Sequence, residues 1–392
     1  MHRTSISLAL INIVMCSCAF APTIAGQAKT ASDVDVTRCW TYPIGERNPA
    51  TISSDNTHIF IGSAGAKIDA LSMDGKKTWG AEFGGEITSN LMPHTAGLIF
   101  STSSLPSETE KAGTSTLRSL SKDTGITNWT IKLPAATEHF VNIYREFIVV
   151  VSANGVVQSI DARNGAVAWK REIAEGFASR PAFNVESVIV TTAAKQIFNI
   201  ALTSGQIESM STMPYRTTAV VKVPGGVVIG DERGGITSFI NGSGKRAWRF
   251  KTGGEVTNLF ATGVGVIATS NDNFVYFLVS RTGRVVWKRR LSGRIAHIFD
   301  YAGQFAVISG VEENRAVFAD IKNGKVSGQM AFEAGETLAA TPIAVNGQIF
   351  VLTNLGAYAY SLNGCLKKTN AVPVSFIRDR SLKTNQAAKP LS

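Results

Sequence analysis

The chain has 392 residues, 44% of them hydrophobic and only 17% charged, a balance that excludes general disorder and suits a well-buried globular protein. Its formal charge of +10 would point to nucleic acid if it were spread evenly, but six basic residues and no acid lie in 281–294, and six basic residues with one acid lie in 366–392. The rest of the chain is about neutral, so the basicity is local.

Residues 1–25 read as a secretory signal: Arg3 precedes an apolar run from Ile6 to Met15, and small residues follow. That run is too short to cross a bilayer. Two endings stay open. Cleavage after Ala25 or Ala28 frees a soluble protein, whereas Ser17-Cys18 forms a lipoprotein junction with Cys18 acylated, Met15 standing where leucine is usual. Residues 26–35 then form a flexible tether.

From residue 36 to about 366 one module recurs. A turn glycine is followed four residues later by tryptophan at Gly75/Trp79, Gly125/Trp129, Gly165/Trp169, Gly244/Trp248 and Gly283/Trp287. With Gly205, Gly324 and Gly364 the turn glycines are spaced 50, 40, 40, 39, 39, 41 and 40 residues apart. Before each turn lies an apolar run such as "FIVVVSANGVVQSI", two β-branched and aromatic strands joined by a polar turn. Four short strands per forty residues predict an all-β, eight-bladed β-propeller of four-stranded blades. Each tryptophan reads as a wedge between blades.

The two ends of the chain complete each other. Trp40 lies 39 residues before Trp79 and keeps the phase, while Gly364 has Lys368 where a tryptophan is due. The strand around Trp40 therefore supplies the outer strand missing from the last blade, which removes exposed sheet edges. Cys16 and Cys18 belong to the signal region, leaving Cys39 and Cys365 as a pair that closure brings into one blade, where a disulfide would pin the seam. Blades 4 and 7 carry Ser209 and Gly328 in place of tryptophan. The long interval in blade 2, "STSSLPSETEKAGTST", predicts a protruding loop, and residues 367–392 predict a basic, partly disordered tail.

The pattern seen as "FLVSRTGRVVWKRRL" and "SIDARNGAVAWKREI" resembles the PQQ-like propeller repeats, and among them is most similar to the BamB family of outer-membrane assembly lipoproteins. That resemblance implies a non-catalytic periplasmic scaffold, soluble or anchored to the outer membrane, monomeric within a complex that contains the barrel insertase. A scaffold or sensor of another envelope complex, and a quinone-binding or small-ligand enzyme, are the alternatives. In the family a mid-chain loop with an arginine makes part of the partner contact. The corresponding stretch, "STMPYRTTAV", implies Tyr215 and Arg216 as contact residues, with Asp231, Glu232 and Glu255 as acidic neighbours, although Tyr215 and Thr217 stand where the family has leucines.

Enzymatic signatures are weak. Quinoprotein dehydrogenases use a vicinal cysteine pair, and this chain has no Cys-Cys dipeptide, so no cofactor is expected. His58, His94, His139 and His297 lack a metal-site spacing. Glu86, Glu255 and Glu336 recur in phase within "GGEIT", "GGEVT" and "AGETL", which favours a structural turn role over acid-base chemistry. Arg281, Arg284, Lys288, Arg289, Arg290 and Arg294 face outward if the blades are as predicted, offering a contact for anionic lipid phosphates, while nucleic acid is not an expected partner of an exported protein.

Overall fold

The computed structural model describes residues 36–45, 48–104, 113–134, 138–173, 175–241, 243–291, 293–310, 315–362 and 364–365. The expected signal with Cys18, the expected tether, the tip of the blade 2 insertion and the expected tail all lie outside the described residues. Within them the chain forms eight antiparallel sheets arranged as the blades of a propeller. Blade 1 runs outward from Pro49–Ser54 through His58–Ser63 and Lys67–Ser72 to Lys77–Glu82. In the last blade Ile343–Val345, Gln348–Leu352 and Gly356–Ser361 are completed by Thr37–Pro43, so the ring closes through a strand from the opposite end of the chain.

Burial follows the strand chemistry. Second strands such as Gly97–Ser103 and Phe147–Ser152 are buried along nearly their whole length, because their β-branched and aromatic side chains face neighbouring blades on both sides of the sheet. Phe60, Phe100 and Phe350 sit fully buried in this layer. Blade 2 departs from the rule: its inner edge is split into Glu86–Ile87 and Met92–His94, both paired with Gly97–Ser103. In the gap the Asn90 amide donates to Val141 O at 3.0 Å and accepts from the Val141 N–H at 3.2 Å, substituting for a backbone pair to blade 3.

All eight outer strands carry a register shift immediately before the tryptophan position, as where Trp169 pairs with Ser159 and Val167 with Ile160. Such a bulge turns the following side chain out of simple alternation. It aims the indole at the next blade. Trp40, Trp79, Trp129, Trp169, Trp248 and Trp287 donate their ring N–H to Met73, Lys122, Ala162, Leu202, Ser280 and Ile321 O respectively, at 2.6–3.0 Å. The ring then lies flat on the turn glycine of that next blade. A Cβ on Gly205 would stand 2.5 Å from Trp169, and the backbone there has φ +68°, a region open to glycine without strain. The glycine and the tryptophan of one module thus serve two different seams.

Cys39 is the bulged residue of the closing strand, where Arg38 pairs with Tyr360 and Trp40 with Ala359. Freed from ladder alternation, its side chain meets Cys365, with the two Cα atoms 5.3 Å apart and the sulfurs bonded.

Candidate functional site

The loop that opens the inner strand of blade 5 carries Tyr215, 38% exposed, and Arg216. Arg216 is not a free loop cation. Its Nε donates to Glu232 Oε2 at 3.2 Å, its Nη2 to Glu255 Oε1 at 3.4 Å, and its backbone N–H to Glu232 Oε1 at 3.2 Å. Glu255 accepts in turn from the Asn271 amide at 3.2 Å. The Arg216 N–H, then its guanidinium, hold the Glu232 carboxyl below its ordinary range. Because Arg216 and Glu255 open the inner strands of adjacent blades, the result is an exposed arginine, two acids and a tyrosine on one rim of the ring. Such a patch is chemically able to exchange its internal ion pairs for a partner's.

Asp231 does not belong to this surface. It is fully buried, and its Oδ1 accepts the N–H groups of Arg233 and Gly235 at 2.9 and 2.7 Å, shaping the turn between the second and third strands. The side chain that reaches Arg216 is its neighbour Glu232.

The phased glutamates have three different surroundings. Glu86 is exposed and Glu255 half-exposed, whereas Glu336 is buried, accepting from the Glu333 N–H at 2.8 Å and Thr353 Oγ1 at 3.0 Å. Above Glu336 lies Arg38, which donates to Tyr360 Oη and Glu333 and stacks 4.5 Å from the Tyr358 ring centre. Burial first, and then Glu336, pushes the Tyr358 phenol up to about 12. This cluster ties the first described strand into the last blade.

Of the basic segment, Arg281, Arg284, Lys288, Arg290 and Arg294 are exposed. Arg289 is half-buried instead and donates to Gly324 O at 2.6 Å, as Arg171 does to Gly205 O at 2.8 Å, so its position relative to the tryptophan makes it a seam residue. The outer strand of blade 5 adds exposed Arg246, Arg249 and Lys251, and the outer strands of blades 5 and 6 contain no acid.

The four histidines stay apart. His58 lies 3.0 Å from Thr57 Oγ1, His94 accepts the Ala96 N–H, His139 is buried against Ser152 Oγ at 2.9 Å, and His297 faces Thr341 in the centre of the ring. Among the described residues no group of three histidines, cysteines or acids could hold a metal ion. None of their helices is long and apolar enough to cross a membrane.

The chain is thus a closed eight-bladed propeller with phased tryptophans and a rim arginine paired to two carboxylates. The sequence profile described as "Outer membrane protein assembly factor BamB" matches residues 64–234 and 232–366, and the chain belongs to that family of PQQ-type repeats. Among solved structures, BamB from Moraxella catarrhalis is similar at 14% identity and TM-score 0.64, over 85% of this chain and 99% of that one. The computationally designed Ika8 protein is similar at 13% identity and TM-score 0.70, over 83% and 99%. The C-terminal WD40 domain of Sif2 follows at 10% and 0.65, over 84% and 99%. At such identities these likenesses carry the fold alone. No curated protein matches at the sequence level.

Proposed function

We propose that this chain is a non-catalytic periplasmic scaffold in outer-membrane protein assembly, binding a barrel insertase through the rim that carries Tyr215, Arg216, Glu232 and Glu255. The observation that carries this reading is the family match over most of the propeller. The rim supports it chemically: Arg216 is half-exposed and held by two carboxylates, so a partner can take over its ion pairs without unfolding the loop. On this reading the protein acts as a monomer within the complex, soluble or tethered through Cys18. The exposed cations of blades 5 and 6 lie against phosphates of envelope lipids.

The test is affinity capture with mild crosslinking from the native envelope, followed by identification of the captured proteins. Wild-type protein is expected to recover a barrel insertase, and Arg216→Glu to lose it. Arg216→Glu combined with Glu255→Arg restores one internal pair and controls for loop damage. If it captures no better than the single variant while both stay folded, the contact needs the arginine itself. Capture of a different envelope complex by wild type would overturn the assembly role in favour of another scaffold.

A further inference from the structure

The inner strands of blades 5 to 7, with the segments that lead into the inner strands of blades 4 and 8, line an open cavity of roughly 380 Å³ that begins two residues beyond Arg216, at Thr218. Its polar lining is Arg180, Thr218, Thr257, Asn258, His297 and Thr341, with no carboxylate among the lining residues. The hydroxyls of Thr218 and Thr257 are engaged with Val256 O at 2.5 Å and Thr269 Oγ1 at 2.7 Å. Three donors remain. The Arg180 side chain is 82% exposed; it lies over the Phe140 ring, and its one ion pair among the described residues, to Glu138 at 3.6 Å, exceeds hydrogen-bond length. His297 is oriented by Thr341 Oγ1, 3.0 Å from Nδ1, and its Nε2 has no hydrogen bond among the described residues. The Asn258 side chain has none either.

We infer that this channel mouth is a binding site for a small oxyanion, a carboxylate or phosphate held by Arg180, His297 and Asn258. A guanidinium with most of its donors unspent is the side chain best suited to such a group. The volume is at the small end of ligand cavities, which fits a metabolite or free ion and excludes a folded segment. Burial lowers the imidazole's proton affinity, and the nearby Arg180 charge lowers it further. An oxyanion in the cavity would reverse that effect. The site is independent of the scaffold reading, since its residues do not include the rim cluster.

The full mature chain would be titrated with citrate and, separately, with inorganic phosphate, by calorimetry and by NMR of the His297 ring nitrogens. Saturable binding of at least one probe is expected, with the His297 pKa raised on binding. Preference for one probe identifies whether the site takes carboxylates or phosphate. Arg180→Gln should bind about tenfold or more weakly, the scale of one lost charge-assisted contact. Asn258→Ala should weaken binding less, and Arg281→Gln, in the turn before the outer strand of blade 6, should bind as wild type. No saturable binding of either probe, unchanged binding in Arg180→Gln, or equal loss in Arg281→Gln would each overturn the site.

Discussion

At the seam between blades 3 and 4, Trp169 donates to Leu202 O and lies on Gly205, while Arg171 clamps Gly205 O and Ser204 O. Between blades 7 and 8 the tryptophan position is Gly328, and a Cβ on Gly364 would meet nothing within 4 Å among the described residues. The second seam compensates further inside. Phe299, Tyr301, Phe318, Phe332, Tyr358 and Tyr360 share one core cluster there, and Tyr301 Oη donates to Gly347 O at 3.0 Å. The indole contact therefore stabilises the union of two blades and not the blade that contains it, so its loss can be offset by aromatic volume in the inner layers.

The closing blade gives the largest expected effect. Its outer strand arrives from the other end of the chain, and Cys39–Cys365 is the covalent tie. Cys39→Ser, or reduction of the wild type, should cost about 4 kcal/mol, since the bond restricts a very long loop in the unfolded chain. Urea unfolding with and without reductant measures it. Identical curves would mean that the strand ladder and Arg38 suffice.

A glycine pair separates the two kinds of seam directly. Gly205→Ala should cost about 3 kcal/mol, combining a left-handed backbone with a clash against Trp169, whereas Gly364→Ala should cost about 1 kcal/mol from the backbone alone. Equal losses would remove the indole contact from the account of the repeat.

Acid probes the inner edge of a docked seam. His139 in blade 3 donates its backbone N–H to Thr88 O of blade 2 at 2.7 Å, and burial lowers its ring pKa to about 4 from the ordinary 6.5. The unfolded chain therefore binds a proton between these values that the folded ring does not. Stability is full above pH 6.5, falls as the pH drops toward 4, and loses no more from this group below that. The loss should reach roughly 3 kcal/mol. Comparing unfolding midpoints at pH 7 and pH 4.5 for wild type and His139→Gln isolates it, because the variant should lack this part of the slope.

Much of this molecule was legible in the order of its residues. The forty-residue phase of Gly75 to Gly364 and the displaced Trp40 predicted eight blades and their closure, and the structure has both. What spacing could not reveal was which glycine each tryptophan meets. Trp169 is four residues from Gly165, yet it packs on Gly205, a contact that exists only once two blades are side by side. The same limit applies to the sites. Arg216 and Glu255 share a phase, but nothing in "DER" tells that Asp231 turns inward and Glu232 outward, because the alternation ends at that turn. Arg289 read as one cation in a run until the next blade placed Gly324 O beside it. Arg180, His297 and Thr341 come from three blades and meet only through closure of the ring.

The smallest expected effect is also the most discriminating between the two seams. If the indole contact belongs to the seam, a tryptophan supplied where it is absent should be usable there. Gly328 occupies the register position of Trp287, opposite Phe318 as Trp287 is opposite Phe277, and the bulge that aims the indole is already present before it. The receiving turn glycine, Gly364, has a left-handed φ of +82°, as the docked glycines do, and no described residue lies within 4 Å of where its Cβ would stand. Gly328→Trp should therefore raise stability by about 1 kcal/mol, from burial of part of the ring and from removing a flexible glycine within a strand. The gain should largely vanish when Gly364→Ala is added, because the new Cβ fills the space the ring needs. A thermal melt of the four combinations completes the cycle. Strictly additive effects would mean that the inner aromatic cluster has already fixed the spacing of blades 7 and 8, leaving no room for the contact that the other seams use.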